Sequence, residues 1–200
     1  MSFKSYNGRV RSWGRKLVLP VEEIKKLISE EIFDKHSVDS CVDMGAGTLF
    51  WSKWLKTRVD KVYAVDIIYD EDKSVDGIDC VNNINNIDFS NLAAVFFFIS
   101  DVLHHLDKNF EDEILQLIAD KRNNIEYVVI KDINCNAKIG NFMNRMHDRF
   151  INGEKIRDIN PDQLVQYLND NGFYCCVHYV RKLWYPHFLI VATRKWKQQS

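Results

Sequence analysis

Gly45-Ala46-Gly47 stands between an apolar run, SCVDM (40–44), and a bulky amphipathic one, LFWSKWLKTR (49–58), in a chain with only eight glycines. Two glycines separated by one small residue mark a backbone that something approaches closely or that takes unusual angles. Asp66 follows Gly45 by 21 residues, near the end of the next apolar run, KVYAVDI. A carboxylate placed there can accept hydrogen bonds from ribose hydroxyls. A dinucleotide site wants a third glycine three residues after the second, and that position is Phe50; no Walker lysine is present either. A nucleoside ligand without a pyrophosphate fits this pattern better.

A second set of residues could move protons. Asp101, His104 and His105 follow the run LAAVFFFIS (92–100), Lys131 and Asp132 close IEYVVIKDIN (125–134), and His147 and Asp148 lie in NRMHDRF (144–150). Histidine titrates near neutral pH and suits the role of base toward a hydroxyl. Two adjacent histidines on a helix point in different directions, so at most one of His104 and His105 faces a common ligand. His105 and His147 are the two candidates for a base. Lys131 and Asp132 read equally well as an ion pair closing the strand, His178 and His187 as strand residues, and His36 as a loop residue. Asp101, Asp132 and Asp148 could converge on a metal ion, but no spacing rule requires it, and no metal site is expected.

These residues need elements to hold them. VEEIKKLISEEIF (21–33) carries Val21, Ile24, Leu27, Ile28 and Ile32 at helical spacing, and NFEDEILQLIADKRN (109–123) is a second amphipathic helix. LFWSKWLKTR reads as a helix after the glycine turn. SCVDM, KVYAVDI, IDCV (78–81), LAAVFFFIS and IEYVVIKDIN read as strands, the last two buried on both faces. In NPDQLVQYLNDNGF (160–173), Asn160 is an N-cap, Pro161 suits the first helical position, Gln163 can complete a capping box and Gly172 ends the helix. YCCVHYVRK (174–182) and HFLIVATRK (187–195) follow without a helix between them and look antiparallel. The expected fold is α/β: doubly wound, a mainly parallel seven-stranded sheet with an antiparallel C-terminal strand and helices on both faces.

Composition narrows the class. Two hundred residues, 46% hydrophobic and 12% aromatic, fit one globular domain over 1–200. A net charge of −1 gives no general pull toward nucleic acid or an anionic membrane. Five cysteines without a C-x-x-C pair read as reduced thiols, and no run reaches the length of a membrane span. A cytoplasmic protein is expected.

Taken together in order, these motifs resemble the class I S-adenosylmethionine-dependent methyltransferases. VDMGAGTLFW is similar to their first motif, hydrophobic–Asp/Glu–x–Gly–x–Gly, and VYAVDI to their second, which ends in the ribose-binding acid. FFFISDVLHHL resembles the segment around the end of their fourth strand, YVVIKDIN their fifth, and NGFYCCVHYVRKLWYPHFLIVATR their closing strand pair. The resemblance spans about residues 36 to 194.

The resemblance implies S-adenosylmethionine as cofactor. Asp43 and the Gly45, Ala46 and Gly47 backbone would face its amino-acid portion, and Asp66 its ribose. Asn83 would sit beside the adenine amine, although many members carry an acid there and the Asn-rich turn around it offers a plainer role. Ser100 would lie under the cofactor and Asp101 near the transferred methyl. Segment 134–158 would be an insertion shaping the acceptor pocket. Residues 1–35 would supply a lid, with Tyr6, Trp13 and Arg15, and then the first helix; a disordered tail is the equal alternative for the lid.

The function expected is methyl transfer to an oxygen, less readily a nitrogen, of a small polar acceptor such as a glycan or metabolite precursor. An RNA or protein methyltransferase is an alternative that the basic tail and Arg145 and Arg149 favour mildly. The neutral charge and the absence of the Asn/Asp-Pro-Pro-aromatic motif oppose nucleic acid. A non-catalytic nucleoside-binding module is a further alternative.

Overall fold

The computed structural model describes residues 20–69, 73–134, 157–182 and 185–195. Helix α1 (Val21–Ile28) runs on into a π turn, Ser29–Phe33, and leads to β1 (Ser40–Met44). Then come α2 (Phe50–Leu55), β2 (Lys61–Val65), β3 (Lys73–Val75), β4 (Ile78–Val81) and β5 (Val95–Ser100). Helix α3 (Lys108–Ala119), β6 (Ile125–Ile133), α4 (Pro161–Asp170), β7 (Phe173–Lys182) and β8 (Tyr185–Arg194) complete the order.

Among the described residues eight strands form one sheet, in the order β3-β4-β2-β1-β5-β6-β8-β7. β4, β2, β1, β5 and β6 are parallel, and β8 inserts antiparallel between β6 and β7. Eight strands replace the expected seven. The additional one, β3, is a three-residue edge strand that hairpins onto β4 through Asp76 and Gly77, both at positive φ. Asp-Gly with two positive φ angles is the favoured two-residue hairpin turn, whose twist matches the flanking strands.

The apolar run of β5 divides between two cores because successive side chains point to opposite faces. Phe97 and Ile99 pack with Val128, Ile130, Ile114, Ile118 and Leu168 under α3 and α4. Phe96 and Phe98 pack with Ile24, Ile28, Trp51 and Leu55 under α1 and α2. That second layer is aromatic: Phe33 meets Phe96 and Trp51 meets Phe98, each with ring centroids 5.4 Å apart. Covering both faces leaves the carboxyl ends of β1, β2 and β5 as the place where loops can present functional groups.

The C-terminal helix forms where its capping residues place it. Asn160 accepts from the Asp162 amide at 2.9 Å, Pro161 takes the first helical position, and Gly172 turns the chain with φ +85°. Among the described residues no helix is long and apolar enough to cross a membrane, and no group of three or more His, Cys, Asp or Glu could hold a metal ion.

Candidate functional site

The glycine turn is built by the main chain of its neighbour strand. The amides of Gly45 and Ala46 donate to the Val65 carbonyl at 2.8 and 3.1 Å. Gly45 and Gly47 sit at φ +74° and +53°, in the left-handed region that glycine takes without strain. A Cβ on Gly45 would lie 2.1 Å from Cγ2 of Val102, in the turn after β5. The first glycine therefore makes room for a residue of the fold itself.

Gly47 is held by a different device. Its amide donates to Asp66 Oδ2 at 2.7 Å, and its carbonyl accepts from the Tyr69 hydroxyl at 3.0 Å. Asp66 Oδ1 accepts from the Ile68 amide at 3.1 Å. An ionised carboxylate offers about four acceptor positions, so two remain open. Beside this carboxylate Ile67 and Ile68 are 88% and 60% exposed. Two large apolar side chains thus stand in water next to a half-buried acid.

Asp43, at the end of β1, points to the helix that follows. It is buried and accepts from the Ser52 hydroxyl at 2.5 Å. Burial is the largest influence and pushes its carboxyl up to about 7, against the lowering effect of the Ser52 bonds. Asn83 is exposed, and its side-chain oxygen accepts from the Asn85 amide at 2.9 Å, capping a short 3-10 turn. Ser100 closes β5 with its hydroxyl 3.4 Å from Asp101 Oδ2.

Asp101 adopts φ +56°, and its amide donates to the Lys131 carbonyl at 2.9 Å. Both its oxygens receive the Lys131 ammonium, at 2.5 Å for Oδ2. Lys131 is fully buried. Burial alone would raise the Asp101 carboxyl; Lys131, followed by His187 and His104, outweighs it and holds the group below its ordinary value. Asp132 takes the other partner, with its Oδ1 2.6 Å from His104 Nδ1 in a buried pair. Lys131 and Asp132 are thus no pair of their own: adjacent strand residues face opposite ways, and each meets a different residue of the turn after β5.

That turn is a 3-10 turn, Leu103–His105, and it divides the histidines. His104 is buried against Asp132, whereas His105 is exposed with its ring centroid 4.0 Å from that of His104. His147 and Asp148 lie outside the described residues, as do Tyr6, Trp13 and Arg15. A separate groove of about 760 Å³, lined by Ile84, Asp88, Phe89, Glu113, Leu117 and Asp120 among others, includes no residue of the glycine turn.

Val102, Ser52, Tyr69, Ile67 and Ile68 all shape this site, and no motif in the sequence signals the first three. The two isoleucines carried a signal: consecutive apolar residues directly after Asp66, at a predicted strand end.

No family model and no curated protein matches the sequence. The backbone does have solved counterparts. A SAM-dependent methyltransferase from Archaeoglobus fulgidus aligns with a TM-score of 0.65 at 16% identity, over 92% of this chain and 99% of its own. The chain has the class I methyltransferase fold. Magnesium protoporphyrin IX methyltransferase from Synechocystis PCC 6803, solved with bound SAH, aligns at 0.57 with 15% identity, over 87% of this chain and 83% of its own. A SAM-dependent methyltransferase from Anabaena variabilis ATCC 29413 aligns at 0.59 with 13% identity, covering 88% and 85%. Within this methyltransferase fold, the glycine turn, Asp66 and Asp101 stand at the carboxyl ends of three neighbouring strands, β1, β2 and β5.

Proposed function

We propose that this chain is an S-adenosylmethionine-dependent methyltransferase that methylates an oxygen of a small polar acceptor. The observation that carries the reading is the Gly47–Asp66 bond, which holds an open glycine turn against a carboxylate with acceptor capacity to spare. Asp66 accepts from the ribose hydroxyls, Ile67 and Ile68 form the apolar wall for the adenine ring, and the Gly45–Gly47 backbone lines the amino-acid end. Asp43 supports that backbone through Ser52. Ser100 and Asp101 close the site from β5. Asn83, engaged in its own turn, contributes at the edge of the adenine pocket.

The bound cofactor supplies an electrophilic methyl group on a sulfonium, and the chain's own residues position the reactants. Asp101 stands as one half of an ion pair: Lys131 occupies both its oxygens and holds its carboxyl below the ordinary value, which makes it a poor base and fixes it at the carboxyl end of β5. The acceptor hydroxyl would give its proton to a histidine as its oxygen bonds to the methyl carbon and the carbon–sulfur bond breaks, its electron pair staying on sulfur as a neutral thioether. His105, exposed on the turn after β5, and His147, in segment 134–158, are the candidates for that base.

The test is transfer of isotope-labelled methyl from S-adenosylmethionine to parallel panels of hydroxylated small molecules, amines, RNA and protein. The reading expects label in the hydroxylated panel, reduced in His105→Ala or His147→Ala. Label confined to RNA or protein would overturn the acceptor class.

A further inference from the structure

Arg157 emerges from the acceptor-side segment directly onto the histidine turn. Its amide donates to the His104 carbonyl at 3.0 Å, its Nε to the Leu106 carbonyl at 3.1 Å, and its Nη2 to the Leu103 carbonyl at 3.4 Å. The same Nη2 also donates to the Glu111 carboxylate, which is nearly buried in the first turn of α3 and takes Lys108 Nζ at 3.2 Å on its other oxygen. A three-residue 3-10 turn closes few bonds of its own and leaves carbonyls to be met from outside. Here one residue meets two of them and the carbonyl of Leu106 just after the turn. Only a planar guanidinium with several fixed donors can serve two carbonyls and a carboxylate at once.

From the other side, Asp132 holds His104 by its ring nitrogen and Lys131 holds Asp101. The turn bearing both histidines is therefore fixed between β6 and the chain that leaves segment 134–158. We infer that Arg157 is a positioning residue of the methyl-acceptor site, fixing the turn that bears His104 and His105 against the start of α3. The inference rests on the methyltransferase reading above. Among the described residues Arg157 hydrogen-bonds to the histidine turn and Glu111 and not to the glycine turn, so its larger effect falls on the acceptor side.

The experiment compares the full chain with Arg157→Ala, Arg157→Lys and the milder Glu111→Gln. Hydrogen exchange is followed at the His105 and Leu106 amides, which close the turn onto Val102 and Leu103. Loss of the guanidinium bonds should speed their exchange by about tenfold or more, with partial restoration in Arg157→Lys and an intermediate effect in Glu111→Gln. With an acceptor identified in the labelled-methyl panel, Arg157→Ala should raise the acceptor KM about tenfold, again partly restored by lysine. Calorimetry with S-adenosylmethionine should show donor affinity within about twofold of the parent, well below the loss of one hydrogen bond. A parent that binds the donor while the variants keep parental exchange and KM overturns the assignment of Arg157 alone. A parent that does not bind the donor overturns the methyltransferase reading and this assignment with it.

Discussion

The Gly47 amide and Asp66 Oδ2 lie 2.7 Å apart across 19 residues of sequence, joining the turn after β1 to the end of β2. The carboxylate proposed to bind the ribose is thus also the brace of the glycine turn. Asp66→Ala should release that turn even without ligand. Hydrogen exchange of the Gly47 amide should accelerate about tenfold or more, as expected when a charge-assisted bond is lost. An unchanged rate would mean that the turn is held without Asp66.

Gly45 and Val102 make a second long-range prediction. Gly45→Ala puts a methyl into the Val102 side chain and an alanine at φ +74°. The two penalties together should lower stability by about 3 kcal/mol in urea denaturation. Adding Val102→Ala relieves the clash but not the backbone angle, so the double variant should recover only part of the loss. Full recovery would assign the whole cost to the contact.

The Asp101–Lys131 pair should be asymmetric. Asp101→Ala leaves an ammonium with no exposed surface and no counter-charge, whereas Lys131→Met leaves a carboxylate that is 30% exposed. Removing one partner of a buried pair costs about 3–5 kcal/mol, and Asp101→Ala should fall in that range. Lys131→Met should cost less, about 1–2 kcal/mol, because water reaches the remaining charge. Urea denaturation of both variants at one pH decides the order.

Asp43 gives a pH signature of unusual sign. Its folded value is raised to about 7, mainly by burial, so between the ordinary carboxylate range and about pH 7 the folded chain holds a proton that the unfolded chain has lost. Stability from this group therefore falls as pH rises through that window and levels off above it. Asp43→Asn removes the titration. Thermal melts at several pH values between 4 and 8 should show the parent losing Tm relative to Asp43→Asn as pH rises. Parallel curves would contradict the buried, protonated state.

Much of the fold was legible because it rests on local signals. The continuous apolar runs of β5 and β6, the Asn160-Pro161 and Gly172 ends of α4, and the helix-free step from β7 to β8 each carry their own physical meaning. The Asp76-Gly77 hairpin carried one too, yet three residues of strand in an acidic stretch were too short to register as an eighth strand. The site was legible only in part. Gly45-x-Gly47 and Asp66 are close in sequence and fixed by motif. The exchange of partners by Lys131 and Asp132, the burial of His104 and exposure of His105, and the approach of Val102 to Gly45 depend on register between strands 30 or more residues apart, which no local spacing encodes.

Calorimetric titration of S-adenosylmethionine into the parent and into Asp66→Ala tests the central claim most directly. The proposed site predicts saturable one-to-one binding to the parent, weakened by about ten- to a hundredfold in the variant, as expected for losing hydrogen bonds to a charged group. No heat of binding to the parent, or equal affinity in the two proteins, would contradict the claim that the glycine turn and Asp66 hold a methyl donor.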